Sequence, residues 1–297
     1  MLQFLIDTLV RTTDLALIAL GLSMVYGLVK FPNIAHVQYA MLGAYLTYAL
    51  HATGLSMVVA IAIAGMLIGA LALMLHMLLF RRLLRSGPAM TMIGSLAVAM
   101  LIVAVTLGVA GSFPLMYKLP LSAPLVIANV RLGLTQLYAL VMTLVVLVLF
   151  TALLFTTRTG RAMRALSSNR ALAAASGLNA EHITHLVNFS SGALAALGGS
   201  MLAMTSGAHI NLGQDLLLPV FAAAILGGLG NPLGAVAGAL LIAVTETLVT
   251  NLNFGWMFGT SVAFLPVAYI SAASFLILLL ALLFKPYGLF DREVRRV

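Results

Sequence analysis

Arg158-Thr159-Gly160-Arg161-Ala162-Met163-Arg164-Ala165-Leu166-Ser167-Ser168-Asn169-Arg170-Ala171-Leu172-Ala173-Ala174-Ala175-Ser176-Gly177-Leu178-Asn179 is the longest polar interval in a chain that otherwise reads as membrane. Its arginines, Arg158, Arg161, Arg164 and Arg170, meet no acidic residue before Glu181. Arg161 and Arg164 are three apart and so share one face of a helix. Ala171 to Ala175 favour a helix, and Gly177 stands where one would stop. The interval is expected to form a short helix on the cytoplasmic surface, with small residues that let another protein approach closely. A basic loop that only fixes orientation is the plainer alternative.

Outward from it, the chain is apolar. Hydrophobic residues make up 63% and charged residues 7% of its 297 residues, and the mean hydropathy is +1.15. Long apolar runs recur, each a candidate transmembrane helix. Helices satisfy their own backbone in lipid, and no barrel-like alternation is present. The fold class is an all-α polytopic membrane protein of about eight to nine transmembrane helices, broken or re-entrant segments included. Residues 1–297 form a single transmembrane domain, with the basic segment at about 158–181. The net charge of +8 does not point to nucleic acid. Of the fifteen Lys and Arg residues, eleven fall in three places: Arg81, Arg82 and Arg85; the four arginines above; and Lys285, Arg292, Arg295 and Arg296. That positive-inside pattern sets all three on the cytoplasmic side. The absence of cysteine excludes disulfides and thiolate sites. The first apolar segment lacks a basic n-region and is read as a retained helix.

In order, apolar segments run from about Ile6 to Val29, Ile34 to Leu50, Leu55 to Phe80 and Ser86 to Ala110. An extracytoplasmic loop is expected from Gly111 to Thr135, with Pro114, Pro120 and Pro124. Leu137 to Phe155 then descends to the basic interval, and Ile183 to Met204 crosses back. A polar turn from Ala208 to Asp215 leads to Leu216–Leu226. After it come Ala235–Val249, a Trp256-containing outer turn, and a last helix from about Val262 to Phe284 that stops at Lys285-Pro286-Tyr287-Gly288. The side of the N-terminus depends on whether the first two segments are one broken crossing or two. Tyr26-Gly27-Leu28-Val29-Lys30-Phe31-Pro32-Asn33 and Gly227-Gly228-Leu229-Gly230-Asn231-Pro232 interrupt short apolar segments in the two halves of the chain. Paired breaks of this kind point to a transport pathway, since freed backbone groups can line a cavity; ordinary turns between full helices are the alternative.

Catalytic motifs are missing: there is no Gly-x-Ser-x-Gly, His-Glu-x-x-His or Walker-type loop. His182 and His185 are spaced to chelate a metal but lack further ligands, so no metal site is assigned. The costly intramembrane polar groups are better candidates. The substrate-pathway set is Asn33, His36, Gln38 and Tyr39 at the first break, Gly227, Gly228, Asn231 and Pro232 at the second, and Glu246. His36 could instead hold helices together, and Glu246 could instead pair with an arginine. No buried charge pair suited to a zwitterion is evident, so the path is expected to be mostly apolar.

Taken in order, several motifs add up to a resemblance. They are Gly21-Leu22-Ser23-Met24-Val25-Tyr26-Gly27, Asn33-Ile34-Ala35-His36, Met41-Leu42-Gly43-Ala44-Tyr45, Gly160-Arg161-Ala162-Met163-Arg164-Ala165, Gly177-Leu178-Asn179, Leu226-Gly227-Gly228-Leu229-Gly230-Asn231-Pro232-Leu233-Gly234-Ala235 and Pro286-Tyr287-Gly288-Leu289-Phe290. Together they resemble the H-type inner-membrane permease subunits of high-affinity branched-chain amino acid ABC transporters. The resemblance implies a permease that is not an enzyme and holds no cofactor, ATP being bound by its partners. Those partners are a second homologous permease subunit, two cytoplasmic ATPase subunits, a periplasmic substrate-binding protein and the bilayer of the bacterial inner membrane. It further implies that Gly160, Arg161, Arg164, Asn169, Arg170, Ala173, Ala174 and Gly177 belong to an ATPase-coupling segment, with a degenerate Glu-Ala-Ala…Gly motif lacking the glutamate. His36-Val37-Gln38 departs from the family's His-Gly-Glu or His-Gly-Asp, which leaves urea or short amides as alternative substrates. An ion-coupled secondary transporter using Asp14 or Glu246, and a membrane enzyme using His36 or His182 and His185, are the rivals from other classes.

Overall fold

The computed structural model describes residues 2–119, 125–127, 130–253, 264, 266, 269–284 and 288. The helices are α1 Leu2–Val29, α2 His36–Ala52, α3 Met57–Leu75, α4 Arg81–Leu83, α5 Pro88–Ala110, α6 Leu134–Thr156, α7 Arg158–Ser168, α8 Arg170–Ala175, α9 Ala180–Ser206, α10 Leu212–Leu226, α11 Pro232–Asn251 and α12 Ile270–Phe284. The loop after α5 carries an antiparallel hairpin, β1 Leu125–Ile127 with β2 Val130–Leu132, in which Val126 faces Arg131. Among the described residues six helical runs are long and apolar enough to cross a membrane: α1, Met57–Ser86, α5, α6, α9 and α11. The shorter α2 and α10 correspond to the short segments of the sequence reading, and the expected last helix is described from Ile270 to Phe284. Pro120, Pro124, Trp256 and the Lys285, Arg292, Arg295 and Arg296 cluster lie outside the described residues.

Local chemistry explains most boundaries. α1 ends because Lys30 takes a left-handed φ of 55° and Pro32 cannot continue a helix. The helix after α3 does not stop at the arginine cluster as expected. It passes through a π turn, His76–Phe80, and on through α4 to Ser86, because arginine is a good helix former; Gly87 at φ 108° and Pro88 at the first position of α5 end it. α10 starts at Leu212, inside the expected polar turn, with Asp215 in its first turn, where a carboxylate meets the positive end of the helix.

The helices sort by depth in the bundle. In α1 and α9, 78% and 67% of the apolar window is buried, against 28% and 17% in α5 and α6. Leu15 to Leu20 of α1 have no accessible surface at all. The two most buried helices are also the least apolar of the six, the inverse of a soluble core, because lipid rewards apolar exteriors and small or polar residues mediate helix contacts inside. α9 packs on α1, α2 and α3, and α1 also on α10 and α11. These approaches are close: a Cβ on Gly199 would lie 2.1 Å from the Ala40 carbonyl oxygen. From the loop, Leu115 bridges to Ala208 and the Tyr117 hydroxyl donates to the Ala44 carbonyl at 2.7 Å; burial there pushes the Tyr117 phenol above its ordinary pKa.

The Leu28 carbonyl accepts from Arg170 Nη1 at 3.4 Å, so the C-terminal end of α1 shares a face with α7 and α8. Its N-terminal end lies at the opposite face, about 42 Å away along a continuous helix. α1 is therefore one unbroken helix long enough for a full crossing, and the short α2 begins a separate segment after it. At the N-terminal end one ion pair joins three helices. Arg11 Nε donates to Glu246 Oε2 at 2.6 Å, Ser274 Oγ donates to the other carboxylate oxygen, and Arg11 Nη1 lies 3.9 Å from Asp14. Of the two readings of Glu246, the structure shows the pairing with an arginine.

Two outcomes test this packing. Gly199→Ala forces a methyl into the Ala40 backbone and should destabilise the detergent-solubilised chain by about 2 kcal/mol, whereas Gly108→Ala, with open space around it, should be neutral or slightly stabilising. Glu246→Ala strands Arg11 and should cost about 2 kcal/mol or more, and the double variant Arg11→Met, Glu246→Leu should recover most of that loss. Thermal unfolding of the variants measures both; additive losses in the double variant would contradict the pairing.

Candidate functional site

Four helix starts gather on the face that carries the arginines, and each is capped by a side chain. Thr157 accepts from the Gly160 N–H and Asn169 from the Leu172 N–H, both at 3.0 Å. Asn179 accepts from the His182 N–H at 3.0 Å and Asn231 from the Gly234 N–H at 3.1 Å. These caps satisfy donors that the helices cannot satisfy themselves. The basic interval is therefore two helices, α7 and α8, not one. Gly160 is pressed against the Leu153 and Leu154 carbonyls at the end of α6. Arg161 is exposed and donates to the Thr156 carbonyl at 3.0 Å, and Arg164 lies over the Phe155 ring, 4.3 Å from its centroid. On α8, Ala173 is buried, while Arg170 and Ala174 are exposed, as is Gly177 beyond the helix. Gly177 takes φ 82° and stops α8 as expected.

The two breaks meet this segment at one peptide. The Gly230 N–H donates to Ser23 Oγ of α1 at 3.1 Å, and Ser167 Oγ of α7 donates to the Gly230 carbonyl at 3.4 Å. Only glycine fits where they cross: a Cβ on Gly27 would lie 2.6 Å from Ser167 Oγ and 3.1 Å from Gly230 Cα. Gly230 itself holds φ 96°, a conformation glycine adopts without penalty. Gly227 and Gly228 form the turn before it, and Asn231 with Pro232 opens α11. A cavity of about 420 Å³ lies beside this joint, lined by Lys30, Arg164, Ser167 and Asn231 on one side and by Met24 and Leu154 on the other.

The first break is different in kind. From Lys30 the chain runs back without helix through a bend and a turn before α2 begins, and His36 reaches Ile18, roughly 16 Å up α1 from Val29. Backbone without a helix is tolerated at such depth only inside protein. Accordingly, the Ile34 N–H donates to Ser95 Oγ at 3.0 Å and Phe31 packs on Phe80. His36 Nε2 lies 3.0 Å from the Ile18 carbonyl and Nδ1 3.3 Å from Ser191 Oγ. A carbonyl can only accept, so Nε2 carries the proton and Nδ1 accepts from Ser191. His36 thus joins α2 to α1 and α9. Asn33, Gln38 and Tyr39 are buried beside it, the Tyr39 hydroxyl interacting with the Asn33 side chain, while Gln38 Oε1 has no hydrogen-bond partner among the described residues. None of these four lines the cavity beside Gly230, so Asn33, His36, Gln38 and Tyr39 lie apart from Gly227–Pro232, whereas Gly27 and Lys30 of the same break adjoin them.

The remaining polar groups sort by face. Arg81 pairs with Glu181 at 2.5 Å on the inner side. His185 faces His76 there, ring centroids 6.1 Å apart, while His182 is exposed, so His182 and His185 do not form a pair. Among the described residues no group of three His, Asp or Glu side chains is placed to hold a metal. At the outer end Asp7, Asp14, Asp215 and Glu246 surround Arg11 and line or border two cavities. Sequence reasoning missed Ser23, Ser167 and Arg11. Arg11 alone gave a signal, as an opposite charge to Glu246 in another apolar segment.

A family model described as branched-chain amino acid transport system / permease component matches residues 4–284. The chain is 29% identical over 286 residues to the probable branched-chain amino acid transport permease protein LivH of Methanocaldococcus jannaschii, covering 93% of this chain and 88% of that one. It is 28% identical over 313 residues to the high-affinity branched-chain amino acid transport system permease protein BraD of Pseudomonas aeruginosa, covering 100% and 98%. It is 26% identical over 313 residues to the corresponding LivH protein of Escherichia coli K12, covering 100% and 97%. With the match running through nearly every described helix, the chain belongs to the family of branched-chain amino acid transport permease components.

Proposed function

We propose that this chain is the transmembrane permease subunit of an ABC importer that moves branched-chain or related small amino acids across the bacterial inner membrane. It works with a second homologous permease, two cytoplasmic ATPase subunits and a periplasmic binding protein, and has no enzymatic activity or cofactor of its own. Family membership and the names of the relatives support the substrate class. The observation that carries the mechanism is the Gly230 peptide, held at its N–H by α1 and at its carbonyl by α7. A displacement of α7 and α8 by an ATPase subunit is transmitted through that peptide to α1 and to the α10–α11 turn at once. The inner cavity beside the joint opens or closes as they separate, and rigid-body motion of this kind needs no change inside the helices.

The ion-coupled alternative depends on a free carboxylate. Of its two candidates, Glu246 is engaged by Arg11 and Ser274 and Asp14 lies 3.9 Å from the same Arg11, which weighs against it. Charge reversal at Arg161 and Arg164 together tests the importer reading in the complete transporter reconstituted in vesicles. Leucine uptake should fall at least tenfold and ATP hydrolysis should lose its stimulation by loaded binding protein, with the variant inserted at the wild-type level. Unchanged uptake and stimulation would overturn the coupling role.

A further inference from the structure

We infer that the cavity at the outer end of the bundle is the place where the transported amino acid first engages the membrane domain, held through both of its charges; this rests on the importer reading above. The cavity has a volume of about 530 Å³ and lies between α1, α9, α10 and α12, at the face opposite α7 and α8. Arg11 and Asp215 both face it, along with His209, and its apolar wall includes Leu202, Leu216 and Ile270. An aliphatic zwitterion needs this combination: a cation for the carboxylate, an anion for the ammonium, and a branched apolar surface between them. The size falls within the range of small-ligand pockets, about 300–1,000 Å³.

The arrangement differs from a structural ion pair. Arg11 is paired with Glu246 and lies near Asp14, but it makes no salt bridge with Asp215; the two opposite charges share a cavity without closing it. Its hydrogen bond to Glu246 uses Nε–H; Nη1 faces Asp14 at 3.9 Å, beyond hydrogen-bond distance, so the terminal N–H groups make no hydrogen bond to the described residues and can turn to an incoming carboxylate. The buried carboxylates make such a guanidinium affordable within an apolar helix and fix its direction. Asp215 is exposed on the first turn of α10, so the ammonium end meets a hydrated, weakly binding group. That suits a relay that must pass its cargo on.

The test uses the complete transporter in vesicles, with leucine-loaded binding protein supplied at the outer face. Asp215→Asn should lower leucine uptake about tenfold or more, the equivalent of one charge-assisted hydrogen bond, while ATP hydrolysis stimulated by the loaded binding protein persists. Asp215→Glu should restore most of the uptake. In a chain without cysteine, Ser206→Cys at the cavity rim should react with a membrane-impermeant thiol reagent severalfold more slowly when leucine is being delivered. Uptake by Asp215→Asn within twofold of wild type overturns the inference. So does a joint loss of uptake and ATP hydrolysis that Asp215→Glu fails to rescue, since that makes Asp215 an assembly residue. Absence of leucine uptake by the unaltered transporter overturns the importer reading and this inference together, so the two failures are distinguishable.

Discussion

A peptide group inside a membrane protein must find a partner for its N–H and another for its carbonyl, and at Gly230 those partners come from different parts of the chain. Ser23 belongs to the most buried helix, Ser167 to the basic surface helix. Both contacts are partly buried beside the cavity, so each contributes on the order of 1 kcal/mol, and together they tie the peptide to two helices at once. The glycine at 27 is what lets the three segments come close enough. The joint therefore constrains where α7 can sit, where α10 can end and where α11 can begin.

The two ends of the bundle are chemically opposite. Arginines collect at the inner face, where Glu181 is the acidic partner of Arg81. Carboxylates collect at the outer face around Arg11. Between them α1 is apolar and fully enclosed. A solute crossing beside such a helix exchanges one hydrated polar end for another across an apolar middle, which favours passage over tight binding. Specific capture then falls to the proposed external binding protein.

Much of this was legible in the sequence because it depends on local chemistry. Pro32 and Lys30 announce the first break, Gly87-Pro88 the start of α5, and Gly177 the stop of α8, since each limits the backbone it occupies. The caps at Asn169, Asn179 and Asn231 are not read from the sequence, because asparagine is equally common in turns. What else could not be read depends on partners far apart in sequence. Arg11 and Glu246 lie 235 positions apart, and no periodicity links them. The choice of α1 and α9 as the buried pair runs against hydropathy, because the most apolar helices face outward. Ser23 and Ser167 carry no distinguishing mark until the fold brings Gly230 between them. The first break looks like a turn on paper, and it can sit beside the helices without being helical because the π turn after α3 and α5 supply Phe80 and Ser95 to cover it.

The proposed coupling role of α7 and α8 is open to one direct measurement. Ala174 is exposed on α8, and the chain contains no cysteine, so a photo-crosslinker can be attached at Ala174→Cys alone within the assembled transporter. Illumination should join this chain to an ATP-binding subunit, with a yield that changes when ATP is trapped in the complex. Adducts only with lipid, or with the binding protein at the outer face, would show that the arginine-bearing face is not where ATP hydrolysis acts on this protein.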